Sequence, residues 1–159
     1  MTNILVNLLN DLCNTLDREY DINCGGCCYV ASEIAKHLDK RNIKYSLCVL
    51  NDAYLDKDAI NQEVRNRCKN SLECKSVSGD YTCVHYFIDI ENEGSINVGD
   101  FSNDYLVYKI TGITYKNIKW LYRTGDWNPR YNIYNNRKIR RRIKLCFDKY
   151  DKIYFDKNR

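Results

Sequence analysis

The stretch GGCCYVASEIAKHLDKRNIKYSLCVL, Gly25 to Leu50, decides how the fold is read. Its paired glycines mark a backbone turn. Beyond them Val30, Ala31, Ile34, Ala35 and Leu38 recur at three- and four-residue steps, which predicts an amphipathic helix from Cys27 to about Arg41. Asn42 is its expected stop. Ile43 to Leu50 then reads as a strand, with β-branched and aromatic residues at alternating positions. A cysteine pair therefore opens a helix, at the positive end of its dipole, where a thiol is most easily ionised. The first-turn amides there can also hold an oxyanion. Gly26 lets another carbonyl approach without meeting a Cβ.

Working outward, Ile4, Leu5, Leu8, Leu9, Leu12 and Leu16 predict a first amphipathic helix over 2–19, followed by a loop from Asp21 to Gly26. Downstream, 56–70 reads as a polar helix and 71–80 as a loop or hairpin insertion. Tyr81 to Ile90 and Ser95 to Phe101 are strand candidates, joined by the polar turn Glu91 to Gly94 into a hairpin. Tyr105 to Ile110 extends the sheet. Two further helices follow over 115–124 and 136–150, joined by the turn Gly125 to Pro129. Helices first, then antiparallel strands, then helices: the expected class is α+β, in a single domain over 1–159. The core is expected at about 23–110, with a basic helical extension over about 111–159.

Composition narrows the setting. With 159 residues, 44% of them hydrophobic and 29% charged, the chain has the make-up of one globular domain. No stretch reaches the ~20 apolar residues that span a bilayer, so no membrane is expected. The N-terminal segment carries polar residues at helical spacing and no basic n-region, so no signal peptide is expected. Nine cysteines without an export signal point to reduced thiols and a cytoplasmic setting. Abundant Asn, Ile, Lys and Tyr suggest an AT-rich genome such as a phage's, which would put the protein in host cytoplasm or virion. The net charge of +4 is unevenly spread: residues 116–159 hold 14 Lys/Arg against 4 Asp/Glu, and residues 1–115 hold 11 against 17.

A thiolate nucleophile needs a base, and only two histidines are present. His37 lies nine residues beyond Cys28 on the same helix, ~13 Å along its axis, and is read as a surface residue. His85, in the Tyr81–Ile90 strand, is the remaining candidate. An imidazole also needs an orienting partner. Asp100, at the end of the paired strand, is preferred to Asp89, which shares a strand face with His85 but stands ~13 Å away along it.

The segment Gly26 to Val49 resembles the transglutaminase-like nucleophile motif: Gly-x-Cys, an alanine three residues after the cysteine, a leucine-bearing helix, then a strand beginning after an isoleucine. His85-Tyr-Phe-Ile-Asp-Ile and Ile96-Asn-Val-Gly-Asp100 resemble the histidine and aspartate strands of that family. Gly25-Gly26-x-Cys28 is also similar to the nucleophile segment of arylamine N-acetyltransferases, which share the fold. The order Cys, His, Asp is the papain-like one. The resemblance implies a papain-like or transglutaminase-like core over about 23–101, acting on a peptide or protein amide without a cofactor. Carried over, Cys28 is the nucleophile, His85 the base and acid, and Asp100 the orienter. Asn23, Gly26 and Cys27 fall at oxyanion and substrate positions. The chain departs from the pattern at Phe87, where tryptophan is usual, and at Phe101-Ser102, where Pro-Thr is usual.

Three other readings stand beside this one. With Cys28 facing the sheet, Cys27 is turned ~100° away, yet it is the rival nucleophile. Cys24-Gly-Gly-Cys27 is a CxxC, and with Cys83 and His85 it could hold zinc in a structural or binding module. The remaining thiols, Cys13, Cys48, Cys68, Cys74, Cys83 and Cys146, are read as inert core residues. Finally, Arg137, Lys138, Arg140, Arg141, Arg142 and Lys144 form a basic run in which Ile139, Ile143 and Phe147 keep helical spacing. It reads as a helix with an apolar seam and a solvated basic face, open to an acidic protein or to nucleic acid.

Overall fold

The computed structural model describes residues 3–20, 22, 26–52, 83–96, 105–124 and 137–157. Helix α1 spans Ile4–Tyr20 and α2 spans Cys27–Lys40. Four strands follow, β1 Tyr45–Asp52, β2 Cys83–Ile90, β3 Gly94–Ile96 and β4 Tyr105–Ile110, and then α3 Tyr115–Thr124 and α4 Arg137–Lys157. The chain is therefore α+β, with an antiparallel sheet in the order β3-β2-β1-β4. The expected helix at 56–70 and insertion at 71–80 lie outside the described residues.

Each helix forms about where the apolar spacing puts it and buries that stripe, though α4 continues seven residues past the expected end at 150. Leu5, Leu9, Cys13 and Leu16 of α1 are at most 2% exposed. Val30, Ala31, Ile34, Ala35 and Leu38 of α2 join the same core, as do Ile118 of α3 and Ile139, Ile143 and Phe147 of α4. The sheet contributes Tyr45, Leu47, Tyr86, Ile88, Ile90, Ile96 and Ile110 from one face. Phe87 and Asp89 alternate with these and belong to the other face, where Asp89 accepts from Lys109 of β4 at 2.9 Å.

Two turns position the site. The α2–β1 corner is a Schellman motif: Ile43 N–H donates to the Leu38 carbonyl (3.1 Å) and Asn42 N–H to that of Asp39 (3.1 Å). Asn42 occupies the left-handed position at φ 52°, so the sequence signal for the helix stop is structurally real. The β2–β3 turn over Glu91–Glu93 places Asn92 at φ 62° and Gly94 at φ 129°, and pairs Asp89 with Ser95 and Ile90 with Gly94. The expected hairpin thus forms over its described part.

The start of α3 is tied to the end of α2 by one carboxylate. Asp39 accepts from the Tyr45 hydroxyl (2.9 Å) and from the Tyr115 backbone N–H (2.9 Å). A negative charge at a helix start is favourable, and Asn117 accepts from the Thr114 N–H (2.9 Å) to complete the cap. This holds α3 across α2, with consequences for Cys28.

Candidate active site

Helix α2 opens with Gly26 as its N-cap, which makes no side-chain capping hydrogen bond. Gly26 has φ −98°, so its glycine identity removes a side chain rather than enabling a left-handed turn. Its N–H donates to the Ile22 carbonyl at 2.8 Å, and its own carbonyl accepts from Val30 at 3.1 Å.

The two thiols that follow meet different neighbours. Cys27 is the one turned toward the sheet: it is 5% exposed and borders a void of about 10 Å³ with Tyr86, Ile88 and Ile96. Burial pushes its pKa up. Backbone hydrogen bonds at Tyr86, Cys28 and Cys27 itself pull the other way without prevailing. Cys28 has no exposed surface, and its thiol donates to the Ile118 carbonyl of α3 with Sγ···O 3.7 Å. The expected orientation is thus reversed, because α2 presents position 27 to β2 and the next residue, ~100° further round, falls under α3.

The other predicted residues are described to different extents. The backbone of His85 lies in β2, paired with Leu50 of β1. A register shift falls directly beside it, since Asn51 pairs with Cys83. Asn23, Cys24 and Asp100 lie outside the described residues, as do Cys68 and Cys74. Of the alternative zinc set, Cys27 alone has a described side chain, and among the described residues no three His, Cys, Asp or Glu side chains gather as a metal site.

Three of the remaining cysteines behave as core thiols. Burial raises Cys13 and Cys48 to about 12, and Cys146 to about 11, so each is overwhelmingly protonated near neutrality.

His37 is not the surface residue that its helix position suggested. Its ring stacks on Phe147 of α4 at 4.7 Å between centroids, and Arg41 stands 4.7 Å over the same ring. Arg41 donates to both carboxylate oxygens of Asp151 (2.9 and 2.7 Å) and to the His37 carbonyl (2.9 Å). Burial, then the cations Arg41, Lys40 and Lys36, lower the His37 pKa to about 4. Neither this joint nor the Ile118 carbonyl was named from sequence. The one available hint was the i,i+4 spacing of His37 and Arg41.

No helix among the described residues is long and apolar enough to cross a membrane. Comparison with protein-family models, with curated proteins and with solved structures finds no match to this chain.

Proposed function

We propose that the chain carries out cysteine-dependent amide or acyl chemistry, hydrolysis or transfer, through a thioester on Cys28, on a papain-like or transglutaminase-like core. One observation carries this reading: the first turn of α2 packs, through Cys27 beside Cys28, on β2 at Tyr86, one residue along the strand from His85. Regular alternation puts position 85 on the Phe87 and Asp89 face, opposite Tyr86, so the chemistry requires the strand to turn His85 to the helix-facing side. The register shift beside it is the kind of irregularity that re-aims a side chain. In the mechanism His85, oriented by Asp100, takes the Cys28 proton and the thiolate attacks the carbonyl of a peptide or protein amide. First-turn amides around Gly26 and Cys27, with Asn23, hold the oxyanion. His85 then protonates the leaving amine, and water or a second amine resolves the thioester. No cofactor enters. The Cys28 thiol is covered by Ile118, so turnover requires α3 to move off the start of α2. Reduced thiols fit a cytoplasmic setting, in a phage's host or elsewhere.

The complete burial of Cys28 favours a second reading, in which the same fold is a binding module, zinc-stabilised through Cys24, Cys27, Cys83 and His85 or simply without catalysis. Labelling the native protein with iodoacetamide across pH, and mapping the modified residue, separates the two. The enzyme reading expects Cys28 to label below neutral pH faster than an ordinary thiol (pKa ~8.5), and to lose that advantage in His85→Ala. Preferential labelling of Cys27 would transfer the nucleophile to that residue. Absence of any accelerated thiol, or zinc by elemental analysis with Cys24 and Cys27 protected, overturns the proposal.

A further inference from the structure

Helix α4 offers a second surface, independent of the thiol chemistry. Its seam of Ile139, Ile143 and Phe147 is wholly buried against the body of the fold. What remains outward is strongly cationic: the helix carries nine Lys/Arg and three Asp, and two of those aspartates are engaged within the molecule. Asp148 is held by Lys144 (2.7 Å) and Asp151 by Arg41 (2.7 Å). Arg142 is likewise occupied, on Glu19 of α1 at 2.9 Å. Arg137, Arg140 and Arg141, and two turns further on Lys149 and Lys152, form no ion pair with another described residue. At 100° per residue Arg137, Arg141, Lys152 and Phe155 fall within one stripe about 60° wide, ~27 Å long at 1.5 Å per residue.

That stripe ends in Phe155, with Tyr154 ~100° round the helix on the side of the seam. Phe155 is 63% exposed and Tyr154 52%, unusual exposures for such side chains. Their rings meet edge to face at 6.1 Å, and Tyr154 leans on Tyr150 at 5.8 Å. A row of guanidinium and ammonium groups ending in exposed aromatic side chains suits a polyanion whose charges repeat along a chain and whose uncharged parts are flat. We infer that the outward face of α4 binds single-stranded nucleic acid, phosphates along Arg137–Lys152 and bases on Tyr154 and Phe155. A lipid surface fits less well, because an interfacial helix must insert one apolar face; the seam of Ile139, Ile143 and Phe147 is buried in the fold, and the apolar side chains left outside, Leu145, Tyr154 and Phe155, point to different sides of the helix. An acidic protein would use the cations but leave the ring platform without a role.

Fluorescence anisotropy of the full chain with a labelled, mixed-sequence single-stranded DNA about 20 nucleotides long tests this. Five phosphate contacts at a slope of about −0.7 each predict roughly a hundredfold loss of affinity between 50 and 200 mM salt. Replacing Arg137, Arg140 and Arg141 together by serine should reduce that slope by about 2 and weaken binding at least tenfold at the lower salt. Charge reversal at Lys149→Glu with Lys152→Glu provides a second variant on another turn, with the melting temperature recorded for both. Phe155→Ala should weaken single-strand binding by about five- to a hundredfold and leave duplex binding unchanged. The inference is overturned if the oligonucleotide does not bind at the lower salt, or if folded variants bind as the parent does. It also fails if duplex binds equally well and ignores Phe155→Ala. Binding to phosphatidylserine vesicles without binding to the oligonucleotide, or equal competition by poly-glutamate, likewise overturns it.

Discussion

Cys27 and Cys28 show how one residue step changes chemistry. Both sit in the first turn of α2, yet one meets the backbone of Tyr86 and the other the carbonyl of Ile118. Helical rotation alone separates them, and the sequence contains nothing that fixes its phase at the first turn, because both flanking positions are apolar enough to be buried. Asn42 is the contrasting case. A polar residue tolerant of positive φ, placed after the last apolar position of a helix, announces a left-handed cap, and at φ 52° it makes one. Asn42→Ala should therefore cost about 1 kcal/mol, measured by urea unfolding, because alanine keeps the Cβ but loses the short amide that hydrogen-bonds locally in the left-handed region. Asn42→Gly should be neutral or slightly stabilising. Equal losses in both variants would mean that the asparagine side chain, not its backbone, holds the corner.

At the scale of elements, periodicity made α1, α2 and α4 legible, and the turn residues made the β2–β3 hairpin legible. The contacts between elements were not, because their partners lie far apart in sequence. Asp39 accepts from Tyr45 six residues on and from Tyr115 seventy-six residues on. Nothing local to Asp39 distinguishes it from a solvated helix-end carboxylate. Asp39→Ala should cost about 1–3 kcal/mol, since it leaves the Tyr45 hydroxyl and a helix-start N–H without their acceptor. If α3 holds Cys28 closed, the same variant should also speed labelling of Cys28. Unchanged labelling in a destabilised variant would dissociate the α3 anchor from access to the thiol. Phe147 belongs to this scale as well: wholly buried, it receives the His37 stack and the Arg41 cation on one ring. Phe147→Ala should cost about 3–5 kcal/mol and release α4 first, visible as early loss of hydrogen-exchange protection in Arg137–Lys157.

Over the whole molecule, the acidic first part and the basic last part are partly joined to each other. Glu19 meets Arg142 across α1 and α4, while the α2–α4 joint reverses the sense, with Arg41 of α2 held by Asp151 of α4. That joint makes stability depend on pH. The groups around His37 are Lys36, Lys40 and Arg41 on its own helix and Asp148 and Asp151 from α4. Burial and the three cations outweigh Asp148, so His37 titrates at about 4 in the folded chain against 6.5 when exposed. The unfolded chain therefore binds a proton that the folded chain refuses throughout that interval. Stability is complete above pH 6.5 and falls as pH drops toward about 4, below which His37 adds no further slope. Asp151 has the opposite kind of shift with the same consequence. Its hydrogen bond and charge contact with Arg41 lower its pKa, so its contribution is present above the ordinary 3.8 and is lost as pH falls below that value. The two windows follow one another, and both loosen the docking of α4 in acid. Unfolding free energy measured in urea at neutral pH and near pH 4.5 should differ by about 1–2 kcal/mol, less than the fall from 6.5 to about 4 implies because the ring is only half-buried. His37→Gln should flatten the slope between pH 6.5 and 4 while preserving the acid loss below it. A slope left intact in His37→Gln would assign the pH dependence to carboxylates elsewhere in the chain.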